Sequence, residues 1–222
     1  MDYYGFLILT IIITFGAQIY LNSQYKRCLK VSSHKKNTGE EVARKILDAN
    51  GLGDVKVERG NGELSDHYDP RSKVVRLSPD IFEESSIASV AVAAHECGHA
   101  IQHKNHYFFL TVRNSIVPLV RFSSYAGYIA IMLGVIFGSL GLLWLGIIFE
   151  VVILLFQLIT LPVEFNASHR GMKQLLELHL IEDDEVGNGR RMLQAAALTY
   201  VASVATSLLQ VLRLLMMFRR RD

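Results

Sequence analysis

Residues 122–163 contain one charged side chain, Glu150, and this uncharged stretch constrains the fold more than any other feature of the sequence. It is too long for one membrane span, which needs about 20 apolar residues, and about right for two. Backbone amides in lipid must be hydrogen-bonded within the segment, so each span is expected to be helical. Gly138-Ser139-Leu140-Gly141 fits a tight turn near its midpoint. We therefore predict a transmembrane helical hairpin over residues 122–161, with both ends on the same side of the membrane.

Two further apolar stretches lie at the ends of the sequence. Tyr3–Leu21 is nearly all apolar and lacks the basic start of a cleaved signal peptide, so residues 1–21 are predicted to form an uncleaved transmembrane anchor. Residues 195–222 are predicted to form a fourth transmembrane helix that packs one polar stripe against the others. The alternatives are a helix at the membrane interface, or a stripe that lines a wet cavity. The stripe consists of Thr199, Ser203, Thr206, Ser207, Gln210 and Arg213.

Charge is concentrated in residues 22–121, which hold 27 of the 44 charged side chains. Thr38-Gly39-Glu40-Glu41 is a capping-box pattern and predicts a helix of about three turns. Val55–Glu58 and Lys73–Leu77 read as short strands, and we expect the second to pair with an extended peptide by edge addition. One helical region is predicted from Ser78 through His103. This part of the chain is therefore expected to be a small α+β domain.

The whole-chain composition excludes several classes of protein. Half of the residues are hydrophobic, 20% are charged, and the net charge is +2. This content is too apolar for a disordered chain, and the charge lacks the basic excess with which a protein neutralises nucleic-acid phosphates. Two cysteines rule out a disulfide scaffold. We therefore expect a lipid bilayer, and no nucleic acid, among the partners. The sequence leaves the oligomeric state unknown.

The Lys and Arg residues near the predicted spans indicate the orientation, because cytoplasmic loops carry an excess of them. With four spans, eleven fall on the side of the charged domain and three on the opposite side. The charged domain is therefore predicted to be cytoplasmic, with the N-terminus outside. The three dissenting residues are Arg219, Arg220 and Arg221.

His95-Glu96-Cys97-Gly98-His99 fits the pattern H-E-x-x-H inside the predicted helix. Residues four apart share a helix face, so His95 and His99 can bind one metal ion. Zn²⁺ suits imidazole nitrogen. Glu96 lies about 100° around the helix, from where it can act as a general base on zinc-activated water. The pattern therefore predicts a catalytic zinc site.

A catalytic zinc ion needs a third protein ligand. His103 lies about 12 Å from His95 along an unbroken helix and cannot share its metal ion. His106 does not fit the pattern H-E-x-x-H-x-x-G-x-x-H, because Gln102 stands where glycine is required. Glu164 is the stronger candidate, since the predicted hairpin returns it to the side of the motif.

Several segments together resemble the YugP-like membrane zinc metallopeptidases. The resemblance covers most of the chain and implies a zinc-dependent, membrane-embedded endopeptidase of the gluzincin type in a bacterial-type cell membrane. A more distant similarity is to HtpX-like and CAAX prenyl proteases. The segments that carry the resemblance are Asp66–Arg71, Val74–Ser78, His95–Gln102, Leu161–Ser168 and Ala195–Val201.

The sequence patterns give the expected fold, and the resemblance implies a ligand set. The expected fold is a mainly α membrane protein with about four transmembrane helices and a small α+β, zincin-like catalytic domain that carries H-E-x-x-H on a helix. Residues 162–194 form the third-ligand segment and a linker. The resemblance implies one bound Zn²⁺, with Glu96 as the base and His95, His99 and Glu164 as the ligands.

One position departs from the pattern of the gluzincins, many of which place an Asp four residues after the ligand Glu to orient a zinc-bound histidine. Here that position is Ser168, and its hydroxyl or Asn166 is expected to supply the contact. A developing oxyanion also needs a hydrogen-bond donor beside the metal ion. The candidates for that donor are His169, Arg170, His67 and Tyr68.

The expected function is hydrolysis of a peptide or protein substrate, which includes membrane-associated substrates. Two other functions remain open. A site-2-type intramembrane protease would bury the motif in a span and take an Asp from a later one, but the hairpin has no Asp. A membrane scaffold with a structural zinc would close the site with four ligands, whereas three are expected here.

Overall fold

We describe a computed structural model of the chain, which covers residues 3–219. Of the C-terminal basic cluster, Arg220 and Arg221 lie outside the described residues. The helices are α1 (Tyr3–Leu29), α2 (Gly39–Ala49), α3 (Pro79–Glu83), α4 (Ile87–Lys104), α5 (Phe108–Phe137), α6 (Leu140–Glu177) and α7 (Val186–Arg219). The strands are β1 (Lys56–Arg59), β2 (His67–Asp69) and β3 (Val74–Leu77). The chain is therefore mostly helical, with one small sheet.

Among the described residues, four helices are long and apolar enough to cross a membrane, as the sequence predicted. The predicted turn of the hairpin is confirmed at Gly138-Ser139, where Gly138 has a φ of +64°, a conformation that glycine adopts without strain. The helices are longer than predicted, because α5 begins at Phe108 and α6 continues through Pro162 to Glu177. The four stretches are Gly5–Leu29, Phe108–Phe137, Leu140–Glu177 and Val186–Met217.

The chain divides into two compact units, of which the first contains the described residues up to Ile19, Thr111–Pro162 and those from Leu198 onward. Helices α5 and α6 pack closely here, since a Cβ atom added at Gly146 would lie 2.4 Å from Ile131 Cγ1. Many large apolar side chains of this unit are exposed, which is the surface that a lipid-facing bundle presents. Examples are Ile12, Phe15, Tyr125, Tyr128 and Phe137.

The second unit contains Tyr20–Leu110 and Val163–Ala197. Its core is built around α4, most of which is fully buried, and α2 covers one side of α4 with Val42, Ile46 and Leu47. The predicted capping box of α2 is confirmed, with Glu41 N–H donating to Thr38 Oγ1 and Thr38 N–H donating to the Glu41 carboxylate. The boundaries predicted from charge, at residues 21, 121, 161 and 194, stay predictions.

The sheet has the strand order β1-β3-β2, with β1 parallel and β2 antiparallel to β3. The prediction that Lys73–Leu77 offers a free edge to a peptide is therefore wrong. Its strand, β3, is central, and both of its edges are already hydrogen-bonded. Strand β2, which alternation over three residues did not reveal, is an edge strand.

The helical region predicted over residues 78–103 is interrupted. Helix α3 ends at Glu83, Glu84 is extended, and α4 begins at Ile87. Ser86 caps α4, because its hydroxyl accepts a hydrogen bond from the N–H of Ser89. Ile87 N–H donates to the carbonyl of Val31, so the break also anchors the segment that follows α1.

Candidate metal centre

His95 and His99 lie one turn apart on α4, as residues four apart must on a helix. Their ring centroids are 4.8 Å apart and the rings are nearly perpendicular, at 84°. Both side chains are largely buried, with 14% of the His95 side chain and 11% of the His99 side chain exposed. The two Nε2 atoms therefore face one small region at the surface of α4.

Glu164 is brought to the same region by α6. Its Oε2 atom lies 3.4 Å from His95 Nε2 and 3.6 Å from His99 Nε2, and 3% of its side-chain surface is exposed. A tetrahedral zinc site with bonds of about 2.1 Å has ligand atoms about 3.4 Å apart. The two imidazole nitrogens and the carboxylate oxygen are therefore spaced as the ligands of one zinc ion would be.

The contact between α4 and α6 depends on glycine at two positions. A Cβ atom added at Gly98 would lie 2.3 Å from the carbonyl oxygen of Ala167, and one added at Gly171 would lie 2.5 Å from that of Ala94. Both distances are shorter than a real Cβ atom tolerates. The helices thus approach backbone to backbone, and on α4 the contact residues Ala94 and Gly98 directly precede His95 and His99.

The second nitrogen of each histidine has a hydrogen-bond partner. His95 Nδ1 lies 3.0 Å from Ser168 Oγ, and His99 Nδ1 lies 3.0 Å from Gln102 Oε1. An imidazole that uses Nδ1 as a donor presents the lone pair of Nε2, which is the form that binds a metal ion. The donor set and its outer partners therefore fit zinc.

Glu96 is buried next to this cluster. Burial raises the pKa of its carboxyl to about 7; His95 opposes the shift, and the nearby carboxylates of Asp66 and Glu164 add to it. The backbone N–H of Tyr68 donates to the Glu96 carboxylate, and this hydrogen bond lowers the pKa of Glu96. A carboxyl with such a pKa can accept and return a proton near neutral pH.

Strand β2 is held in place by contacts of its middle residue and of the residue just before it. Tyr68 Oη lies 2.9 Å from Nδ1 of His103, which is one turn beyond His99 on α4. Asp66, just before the strand, accepts hydrogen bonds from the N–H and the hydroxyl of Ser78 at 2.7 and 3.0 Å. The edge strand is therefore fixed next to the carboxyl that the motif predicts as the base.

Asn166 and Arg170, both on α6, are linked to His99 through Gln102. Asn166 Oδ1 accepts hydrogen bonds from Gln102 Nε2 at 3.0 Å and from Arg170 Nε at 2.7 Å. The Arg170 guanidinium also lies over the ring of Tyr107, 5.9 Å from its centroid. Asn166 thus contacts Gln102 in place of the histidine that the sequence led us to expect.

His169 and His67 are both exposed. His67 Nδ1 lies 2.7 Å from the carbonyl oxygen of Ser65. His169 lines a groove of about 490 Å³ between α6 and α7, and Ser168 lines the same groove. The groove walls are mostly apolar, as in many ligand sites. The assignment of an oxyanion donor among His67, Tyr68, His169 and Arg170 stays a prediction.

Gln102 is the residue of this region that the sequence reasoning missed. It is fully buried, and it contacts His99, Val163 and Asn166. Its spacing could have revealed it, because His95, His99 and Gln102 follow each other at i, i+4 and i+7 on one face of α4.

Residues 3–219 match the family described as "Putative neutral zinc metallopeptidase". The chain is 44% identical over 216 residues to "Putative membrane protease YugP" of Bacillus subtilis (strain 168), with 96% of each chain covered. No solved structure matches the chain.

Replacement of Gly98 by alanine is expected to weaken metal binding and to lower stability. The added Cβ atom forces α6 away from α4, and functional constellations must be held to within about 0.5 Å. Overpacking of this kind costs about 1–3 kcal/mol. Zinc content and the thermal unfolding midpoint of the purified protein measure both effects.

The control for this substitution is Gly187→Ala on α7, where the nearest atom to an added Cβ is the end of the Arg191 side chain at 3.8 Å. This variant should keep the zinc content and the midpoint of the parent. Gly98→Ala protein with unchanged zinc content would show that the backbone contact does not set the ligand geometry.

Proposed function

The chain belongs to the neutral zinc metallopeptidase family, and we propose that it is a membrane-embedded, zinc-dependent endopeptidase that hydrolyses peptide bonds in peptide or protein substrates. The observation that carries the proposal is the convergence of His95, His99 and Glu164 at the spacing of one tetrahedral site. The two histidines lie on α4 and Glu164 lies on α6, the second helix of the hairpin, so the motif on α4 alone did not require the three to meet.

His95, His99 and Glu164 are the proposed zinc ligands. When bound, the zinc ion would supply Lewis-acid activation of water and of the scissile carbonyl. Three protein ligands leave a position for water, as in catalytic rather than structural zinc sites. Ser168 and Gln102 would orient the two histidines through their Nδ1 atoms.

Glu96 is the proposed general base. Its buried carboxylate would take a proton from the attacking water and pass it to the amine that leaves when the peptide bond breaks. The backbone N–H of Tyr68 would hold the carboxylate in the orientation for this transfer. A bound cation would favour the ionised carboxylate, so the pKa that burial raises to about 7 would fall when the site is loaded.

The two alternative functions are less well supported. A site-2-type protease needs its motif inside a membrane span, but α4 lies in the core of the second unit and is not one of the four span candidates in the described part of the chain. A structural zinc needs four protein ligands, and the clustered metal-binding groups of the described residues number three.

Replacement of Glu96 by glutamine is expected to lower kcat/KM for cleavage of a fluorescence-quenched peptide by about 10²- to 10⁴-fold, the usual contribution of a general base. The zinc content should not change, because Glu96 is not a proposed ligand. The exposed Glu40→Gln is the matched control and should cleave at the parent rate. Full activity of purified Glu96→Gln protein would contradict the mechanism.

Replacement of Glu164 by alanine is expected to remove zinc from the purified protein, since it deletes one of three ligands. The control is Glu177→Ala, which deletes an exposed carboxylate from the same helix and should keep the metal. Elemental analysis after dialysis against a weak chelator measures both. Zinc that stays fully bound to the Glu164→Ala protein would mean that the ligand set is wrong.

We further propose that the charged domain and its metal centre lie on the cytoplasmic side of the membrane. The support is the excess of Lys and Arg, eleven against three, near the spans on the side of that domain. The turn of the hairpin at Gly138-Ser139 would then lie on the opposite side.

Cysteine labelling can test this orientation, because Cys28 and Cys97 are both buried and should react little. A cysteine introduced at the exposed Asn61 is expected to react with a membrane-impermeant maleimide in inverted vesicles and not in intact cells. Ser139→Cys should give the reverse result. Labelling of Asn61→Cys from outside intact cells would overturn the orientation.

A further inference from the structure

Both the oxygen and the nitrogen of the Gln102 side-chain amide form hydrogen bonds where α4 meets α6. The residue is fully buried. Its Oε1 atom lies 3.0 Å from His99 Nδ1, and its Nε2 atom donates to the carbonyl oxygen of Val163 at 2.8 Å and to Asn166 Oδ1 at 3.0 Å. One acceptor and both donors are therefore engaged, and they reach both helices that carry proposed zinc ligands.

The direction of these hydrogen bonds follows from Arg170, which can only donate. Asn166 therefore turns its oxygen, and not its nitrogen, toward Arg170 Nε. The same oxygen accepts from Gln102 Nε2, as does the Val163 carbonyl. Gln102 must then present Oε1 to His99, and His99 Nδ1 must be the donor. The lone pair of a neutral His99 is thereby placed on Nε2, the atom nearest Glu164.

His95 lacks this constraint, because its partner at Nδ1 is the hydroxyl of Ser168, which can donate or accept. The two histidines are thus held differently. A chain of groups with fixed hydrogen-bond roles sets the tautomer of His99, whereas the hydroxyl at His95 is compatible with either tautomer.

The contact with Val163 adds a second constraint, since Val163 is the residue directly before Glu164. Its carbonyl is tied to α4 by the same amide that orients His99. A shift of α6 relative to α4 would therefore break the hydrogen bond that holds the backbone next to Glu164.

We propose that Gln102 is a positioning residue of the metal centre, which fixes the metal-binding tautomer of His99 and couples it to the Glu164 segment, with Asn166 and Arg170 as its anchor. This inference rests on the proposed function in one respect, namely that the centre binds zinc. Gln102 does not touch the reacting atoms, so its effect should appear in metal binding itself.

The test measures zinc affinity by chelator competition on the purified full-length protein carrying Glu96→Gln, so that activity plays no part in the readout. Gln102→Met, similar in length and unable to form these hydrogen bonds, is expected to bind zinc about 10- to 100-fold more weakly, the range for loss of a ligand's outer partner. The visible absorption of Co²⁺ bound in place of zinc should change as well, because it reports the geometry of the ligands.

Two further variants separate positioning from a general structural effect. Asn166→Asp keeps an oxygen that accepts from Gln102 and Arg170, and should retain the parent affinity and Co²⁺ spectrum. Asn166→Leu removes that oxygen and should weaken zinc binding, which also keeps the test available if Gln102→Met does not fold. The control is Gln174→Leu on α6, which removes the 2.6 Å hydrogen bond that Gln174 accepts from Asn50 Nδ2 and the 2.9 Å bond that it donates to Glu177. It should lower the unfolding midpoint and leave zinc affinity unchanged.

The outcomes are distinguishable. Folded Gln102→Met and Asn166→Leu proteins with the parent zinc affinity and Co²⁺ spectrum would overturn this inference and leave the proposed function intact. Loss of affinity in Gln174→Leu equal to that in Gln102→Met would also overturn it, because any weakening of α6 would then suffice. A parent protein that binds no zinc would overturn the proposed function, and this inference with it.

Discussion

The backbone contact between α4 and α6 is the constraint on which the metal centre depends. Each helix carries two small residues four apart at the contact, Ala94 and Gly98 on α4 and Ala167 and Gly171 on α6, and each glycine faces the backbone of the other helix. Larger side chains at these positions would hold the helices at the separation of about 8–10 Å found in ordinary packing. Their absence lets a carboxylate as short as that of Glu164 come within 3.4 and 3.6 Å of two imidazole nitrogens on α4.

Such close packing buries charge, and the surrounding contacts determine whether that burial is tolerable. Glu96 and Glu164 are both buried carboxyls within electrostatic range of each other, an arrangement that costs several kcal/mol if the charges are uncompensated. The two histidines lie beside Glu164, and the N–H of Tyr68 donates to Glu96. A divalent cation among the three donor atoms would offset much of the remaining repulsion. The centre is thus a place where metal binding and folding are expected to be linked.

The features of the fold and the site that could be predicted are those that leave a clear pattern in the sequence of one or two segments. The pairing of His95 with His99 follows from helix periodicity, and the return of Glu164 follows from two spans and a turn at Gly138. The break before Ile87 and the edge position of β2 were missed, because a Ser cap and a three-residue strand leave almost no periodic signal. The central place of β3 could not be read either, since strand order is set by contacts between distant segments.

Gln102 shows most clearly why the remainder of the site escaped prediction. A buried side-chain amide can act toward a given partner as hydrogen-bond donor or acceptor, depending on which way its oxygen and nitrogen point. Only the neighbours that the fold places around it determine that orientation. In the series of hydrogen bonds from Arg170 through Asn166 and Gln102 to His99, Arg170 on α6 can only donate. This fixes the direction of every bond up to His99 on α4. The H-E-x-x-H motif can therefore be read from one helix. The hydrogen-bond role of Gln102, and through it that of His99, depends on α6, because Gln102 is bonded to residues 61 and 64 positions further along the chain. The orientation and the tautomer of the His99 imidazole are therefore determined by residues of α6.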